Sequence, residues 1–150
     1  MIKAIIFDLG NVLIQISFPR VLEHWSKLAG QNIDASVITC LEDEKYFEKG
    51  ELTPADFRSR ASAKLGFKLS DPEFDEGWNQ IFIGEIPNIR RLLERLQPDF
   101  RLVVLSNTNL IHELKWRADY DHLLQYFEKV FLSHVIGARK PEEKATVQFG

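Results

Sequence analysis

Three apolar runs in the sequence lack the polar alternation of a half-exposed strand. They cover residues 3–9, 100–107 and 129–136. Strands buried on both faces have this composition, as in a parallel sheet that is covered by helices. Helical patterns fill most of the chain between the runs. The sequence therefore predicts an α/β fold built on a parallel sheet.

The helical patterns between the first two runs carry recognisable start and stop signals. Thr53 followed by Pro54 predicts one helix start, and Ser70 with Glu73 three residues later predicts another. Gly66 falls where the first of these helices should end. These signals indicate several short helices in succession.

A parallel crossover needs only one helix, yet residues 10–99 lie between the first and second predicted strands. We therefore expect residues 17–85 to form an inserted helical subdomain, and residues 1–16 and 86–150 to form the α/β core. The alternative is a separate helical domain unrelated to the first strand. That alternative is disfavoured because a lone strand could not bury itself.

Composition narrows the class of protein. With 150 residues, 45% hydrophobic and 27% charged, the chain is typical of one globular domain with a small insert. The net charge of -3 offers no electrostatic reason to bind nucleic acid or an anionic membrane. No apolar run approaches the roughly 18 residues that span a bilayer. The single cysteine, Cys40, can form no internal disulfide, and we predict a cytoplasmic protein.

Polar side chains follow the ends of all three predicted strands. Asp8 ends the first, Ser106 and Asn107 end the second, and Lys140 follows the third. The carboxyl ends of parallel strands share one edge of the sheet, where ligands bind. Each residue taken alone suits an ordinary turn or helix cap. Together they predict a site where a carboxylate attacks phosphorus or holds Mg²⁺, and where a lysine offsets the negative charge.

The segments FDLGNVLI (7–14), VVLSNTN (103–109) and GARKPE (137–142) resemble the first three motifs of the haloacid dehalogenase (HAD) superfamily. The insert resembles that family's helical cap of the first type. The resemblance is strongest to sugar-phosphate phosphatases of the glucose-1-phosphate type and to the N-terminal phosphatase domain of epoxide hydrolases. It implies a Rossmann-like three-layer core, with residues 17–85 as the cap.

The resemblance also implies a role for each residue at the strand ends. Asp8 would be the nucleophile and a Mg²⁺ ligand, and the backbone carbonyl of Gly10 would be a second ligand. Ser106 and Asn107 would bind the phosphoryl group, and Lys140 would neutralise the charge on Asp8 and the phosphate. The substrate would be a small phosphorylated metabolite.

Position 10 departs from the usual phosphatase pattern. The family's phosphatases commonly carry a second Asp two residues after the nucleophile, as general acid and then general base, and this chain has Gly10 there. General acid–base catalysis contributes on the order of 10²–10⁴-fold to a rate. We therefore expect slow turnover unless another group substitutes.

The C-terminal end departs as well. The family's fourth motif places acids after a fourth strand to complete the Mg²⁺ site, and residues 142–150 are too few for a helix and another strand. We expect a truncated chain with an incomplete sheet. The first strand would then be an exposed apolar edge, which predicts self-association.

Three functions stay open from the sequence. The first is a Mg²⁺-dependent phosphatase, impaired in this chain. The second is a dehalogenase-type hydrolase, in which the Asp attacks carbon and needs neither Mg²⁺ nor a second Asp. The third is an inactive protein that binds phosphate or a partner.

Overall fold

The computed structural model describes residues 2–36 and 42–146. The prediction for Cys40 therefore lies outside the described residues. Among these residues, no helix is long and apolar enough to cross a membrane.

The predicted parallel sheet is confirmed. Its strands are β1 (Ala4–Phe7), β4 (Arg101–Ser106) and β5 (Lys129–Leu132), in the order β1-β4-β5. Both pairings are parallel. β4 is central and buried over five of its six residues, which explains its nearly continuous apolar sequence. β1 is an edge strand of the described sheet.

The third strand is shorter than the sequence predicted. An extension to residue 136 is wrong, because the chain turns into a short helix, α7 (Ser133–Ile136), directly after Leu132. The Ser133 hydroxyl accepts a hydrogen bond from the backbone N–H of Thr108 and donates one to the carbonyl of Thr108. These side-chain bonds offer the backbone an alternative to the sheet ladder.

The remaining helices bracket the sheet and fill the insert. Their bounds are α1 (Pro19–Ala29), α2 (Glu44–Phe47), α3 (Pro54–Leu65), α4 (Asp71–Asn79), α5 (Ile89–Leu96), α6 (Leu110–Leu124) and α8 (Glu143–Thr146). Both predicted helix starts are confirmed, since Thr53 with Asp56 and Ser70 with Glu73 form reciprocal capping boxes.

A small antiparallel ribbon lies where the insert leaves and rejoins the core. It pairs β2 (Ile14–Ile16) with β3 (Phe82–Glu85). The sequence did not predict this ribbon. The ribbon lies between two apolar clusters. The first packs against the strands of the parallel sheet and includes Leu13 and Trp116.

A second apolar cluster fills the insert. The aromatic side chains Trp25, Phe57 and Trp78 are fully buried in it. Trp25 and Trp78 stack with ring centroids 5.8 Å apart. Ile111, from the core helix α6, is buried in the same cluster, so the insert packs directly on the helix that follows β4.

Candidate active site

Asp8 and Lys140 meet at the carboxyl edge of the sheet. Asp8 directly follows β1, and Lys140 lies in the loop after α7. The Lys140 Nζ lies 2.6 Å from the Asp8 Oδ2. The two side chains come from positions 132 residues apart in sequence, so the sheet topology is what brings them together. An exposed ion pair contributes little to stability, and Asp8 is about half exposed. The contact therefore fits a chemical role better than a structural one.

The ammonium of Lys140 is oriented by a second contact. It donates a hydrogen bond to the carbonyl of Leu105 in β4, at 2.9 Å. The Lys140 Nζ thus contacts the Asp8 carboxylate just after β1 and the Leu105 carbonyl in the neighbouring strand β4. The cation is fixed beside the carboxylate and has few alternative positions.

The turn after Asp8 is tightly hydrogen-bonded. The Asp8 Oδ1 accepts from the backbone N–H of Leu9 at 2.7 Å. The carbonyl of Leu9 accepts from the N–H groups of Leu13 and Ile14. Asn11 adopts a left-handed conformation with φ of 57°, which Asn tolerates better than most residues. Its side chain accepts from the N–H of Ile16, so the turn over residues 9–16 is held by its own hydrogen bonds.

Gly10 brings no side chain to this turn. A Cβ added at Gly10 would lie 2.8 Å from the Cδ1 of Ile16. That methyl is the end of a flexible side chain, so it can move aside. Nevertheless, in this structure the side chain of Ile16 fills the space where a general acid from position 10 would begin.

Ser106 and Asn107 end the central strand close to Lys140, but Asn107 has a different set of partners from the expected one. Its Oδ1 accepts from the Lys140 backbone N–H at 2.8 Å, and its Nδ2 donates to the Lys140 carbonyl at 3.1 Å. Asn107 thus clamps the backbone of the lysine loop. Ser106 is buried, with 2% exposure, and donates to the carbonyl of Asn107 at 3.3 Å. Phosphate binding by either residue stays a prediction.

His112 joins the core to the insert, a contact that the sequence did not predict. Asn109 caps α6 by accepting from the His112 backbone N–H at 3.0 Å. The His112 Nδ1 lies 3.1 Å from the Asn109 Nδ2, and its Nε2 lies 3.2 Å from the Trp78 carbonyl. The amide nitrogen of Asn109 can only donate, so the His112 Nδ1 accepts. The carbonyl of Trp78 can only accept, so the His112 Nε2 donates, and His112 is the neutral tautomer with its proton on Nε2.

Burial keeps His112 uncharged. Loss of solvent around the ring lowers the pKa of His112 to about 4. The ring also stacks on Trp78, with centroids 4.9 Å apart. The only signal in the sequence is a His three residues after an Asn that caps a helix, and that pattern alone does not indicate a contact with the insert.

Few protein groups at this edge of the sheet could bind a metal ion. Within residues 2–36 and 42–146, no group of three or more His, Cys, Asp or Glu side chains is placed to hold a metal ion. The carboxylate of Asp8 and the carbonyl of Gly10 stay the protein ligands that the sequence predicts. Mg²⁺ commonly binds through one or two carboxylates, with water and phosphate oxygens in its other positions. The arrangement fits such an ion, completed by a phosphorylated ligand.

The comparisons with known proteins agree with this chemistry. The chain is 28% identical to a D-ribitol-5-phosphate phosphatase of Bacteroides thetaiotaomicron over 94% of its own length and 72% of that protein. No family model matches the sequence.

Solved structures give the same result. A HAD family enzyme from Bacteroides thetaiotaomicron superposes with a TM-score of 0.84 at 33% identity, over 99% of this chain and 76% of that one. That enzyme has also been solved in complex with magnesium and inorganic phosphate. A predicted HAD-like hydrolase from Porphyromonas gingivalis matches with a TM-score of 0.78 at 26% identity, over 99% of this chain and 75% of that one.

Proposed function

We propose that this chain, which belongs to the haloacid dehalogenase family of enzymes, is a magnesium-dependent phosphatase of small phosphorylated metabolites. The observation that carries the proposal is the Asp8–Lys140 pair at the carboxyl edge of the sheet, 2.6 Å apart. A carboxylate held by a cation at a sheet edge is suited to attack the phosphorus of a bound monoester.

The reaction has two steps. The Asp8 oxygen forms a bond to phosphorus while the bond to the substrate alcohol breaks, which leaves an aspartyl-phosphate and the alcohol. Water then attacks phosphorus, which releases inorganic phosphate and restores the carboxylate. Splitting one difficult displacement into two is the general advantage of a covalent intermediate.

The residues around Asp8 have separate tasks. The Lys140 ammonium offsets the charge of the carboxylate and the phosphate, so that two anions can approach each other. Asn107 holds the backbone of the lysine loop, and Ser106, at the end of β4, would bind the phosphoryl group. Asp8 and the Gly10 carbonyl would hold Mg²⁺, which would neutralise phosphate oxygens when bound.

The leaving alcohol must take its proton from a source other than residue 10. Gly10 has no acidic group, and a missing general acid costs on the order of 10²–10⁴-fold in rate. Substrates with good leaving groups should therefore react faster than sugar phosphates. A comparison of p-nitrophenyl phosphate with a sugar phosphate measures this directly, and equal rates would contradict it.

A panel of sugar phosphates and polyol phosphates, assayed with and without Mg²⁺, tests the function. We expect phosphate release that requires Mg²⁺ and that is lost in Asp8→Asn. Arg101→Gln, in an exposed ion pair with Glu128, is the matched control and should keep full activity. Phosphate release that persists in Asp8→Asn would refute the proposal.

A dehalogenase-type reaction is the second candidate, favoured only by the absence of an acid at Gly10. In that reaction Asp8 would displace halide from carbon. Halide release from a 2-haloacid, without phosphate release from any monoester, would support it. No turnover of either substrate class would indicate an inactive binding protein.

We also propose that the β1 edge pairs with a second copy of the chain. Within the described residues, β1 pairs only with β4, and Ile6 on this strand is 50% exposed. An open apolar edge favours strand pairing between molecules. Sedimentation at several concentrations should show a dimer that Ile6→Lys weakens. A monomer at every concentration would contradict the proposal.

We place this activity in the cytoplasm, where phosphorylated metabolites occur and where a chain with a single cysteine loses nothing in a reducing environment. Fractionation of cells that express the full gene would test the location.

A further inference from the structure

A short segment of the insert lies directly against the loop that carries Lys140. This segment, residues 44–51, begins with α2. Its Glu48 lies 2.7 Å from the Arg139 Nε, and its Lys49 lies 3.6 Å from a carboxylate oxygen of Glu142. Two ion pairs therefore cross from the insert to residues on either side of Lys140 and its proline neighbour.

Backbone packing also brings the segment close to α7, the helix that directly precedes the loop. A Cβ added at Gly50 would lie 2.4 Å from the carbonyl oxygen of His134. Gly50 also has a positive φ of 71°, which favours glycine. The contact between the segment and α7 is thus tight enough to require glycine at this point.

The Glu48–Arg139 pair is the buried part of this contact. Glu48 is 8% exposed, and the Arg139 side chain is about one-third exposed. The Glu48 Oε2 and the Arg139 Nε are both buried and lie 2.7 Å apart as an ion pair, and among the described residues neither atom has a well-aligned hydrogen bond. Breaking a buried pair on one side leaves an uncompensated charge, which is strongly unfavourable. The pair therefore strongly favours the observed position of the loop.

Arg139 is adjacent in sequence to Lys140, so its position constrains the lysine. The backbone of Lys140 is held from the core by Asn107. Glu48, in the insert, holds the neighbouring residue Arg139. With both contacts in place, the Lys140 ammonium lies against Asp8.

We propose that Glu48 is a positioning residue, which acts through Arg139 to hold Lys140 beside Asp8 and so couples the placement of the insert to the assembly of the active site. The proposal rests on the proposed phosphatase function only for its kinetic readout. A merely structural ion pair would change stability and leave kcat unaltered.

The kinetic test uses variants that keep the shape of the side chains. Glu48→Gln removes the charge and keeps the volume, and Arg139→Gln removes the partner charge. We expect each to lower kcat about 10–100-fold with little change in KM, because the lysine is needed in the transition state. The double variant should be no worse than the worse single variant. Arg139→Lys, which keeps the charge, should recover part of the rate.

The control is the exposed Arg101–Glu128 pair at the opposite end of β4. Arg101→Gln should keep kcat within about twofold of the wild type, because exposed pairs contribute little. Unchanged kcat in Glu48→Gln would overturn the proposal. So would losses that multiply in the double variant, because independent effects combine in that way.

A measurement without turnover separates this proposal from the proposed function. Hydrogen exchange of the backbone amides at residues 137–142 reports how often the loop opens. We expect these amides to exchange at least about tenfold faster in Glu48→Gln than in the wild type or in Arg101→Gln. Unchanged exchange would overturn the coupling even in an active enzyme. Faster exchange in a chain that hydrolyses no phosphate would retain the coupling and reject the function.

Discussion

The clamp that Asn107 forms on Lys140 allows a quantitative prediction. Asn107→Ala removes two hydrogen bonds, at 2.8 Å to the Lys140 N–H and at 3.1 Å to the Lys140 carbonyl. Each such bond contributes about 1 kcal/mol net. The freed backbone groups are only partly buried, so water can reach them. We therefore expect the free energy of unfolding to fall by about 2 kcal/mol.

The catalytic effect of Asn107→Ala should be larger than the effect on stability. A displacement of about 1 Å in a positioned group can cost on the order of 10²-fold in rate. We expect kcat to fall by that order, with KM changed little. Urea denaturation gives the stability, and steady-state kinetics on the best sugar phosphate gives kcat and KM. Asn32→Ala, at an exposed position in the insert, is the control and should change neither.

Two results would refute this reasoning. A stability within about 0.5 kcal/mol of the wild type would show that the two bonds do not hold the loop. A rise in KM with unchanged kcat would mean that Asn107 serves mainly to bind the substrate phosphate, the role that the sequence motif implied.

Three further predictions concern packing and pH. Gly77→Ala should lower the free energy of unfolding by about 1–3 kcal/mol in urea denaturation, because its Cβ would lie 2.0 Å from the Nε1 of the buried Trp25. Gly84→Ala is the control, because a Cβ there would have nothing within 4 Å, and it should lower the free energy of unfolding by under about 1 kcal/mol. Burial, with repulsion from a neighbouring acid, raises the pKa of Glu44 to about 7. The folded state then binds the extra proton, so stability should fall as pH rises from about 4.5 to 7, and Glu44→Gln should flatten that slope, leaving the part that the buried Glu48, whose pKa is also raised by burial, contributes. The pKa of His112 is lowered to about 4, so its contribution should be lost as pH falls from about 6.5 to 4; denaturation curves for His112→Gln that keep the wild-type slope there would contradict this.

The sequence predicted the Asp8–Lys140 contact because it depends only on strand order and strand ends. Each residue lies at or after the end of an apolar run that is typical of a buried parallel strand, and the carboxyl ends of such strands share one edge of the sheet. The pairing therefore followed from hydrophobic pattern and motif position, without knowledge of any side-chain contact.

The partners of Asn107 and Glu48 could not be predicted in this way. Asn107 bonds to a backbone group 33 residues further along the chain, and no residue type is required at that position for a backbone bond. Glu48 lies in a charge-rich stretch that is typical of a solvated helix face, and its burial depends on how the insert sits on the core. Tertiary placement decides both contacts.

Two further errors of the sequence-based prediction have local causes, one at the end of a strand and one in a short ribbon. The predicted third strand ran on to residue 136, because apolar residues lie on both sides of Ser133 and His134 without polar alternation. The side chain of Ser133 instead bonds to both backbone groups of Thr108 and turns the chain into α7. The β2–β3 ribbon was missed because its strands have three and four residues, too few to show a period.

The proposed two-step reaction requires that Asp8 becomes phosphorylated during turnover. The direct measurement is mass spectrometry of the wild-type protein, quenched in acid while it hydrolyses a sugar phosphate with Mg²⁺. We expect a phosphoryl group on the peptide that contains Asp8, and neither this group nor turnover in Asp8→Asn. Phosphate release by the wild type without any phosphoryl group on Asp8, or release by Asp8→Asn at the wild-type rate, would rule out an aspartyl-phosphate mechanism.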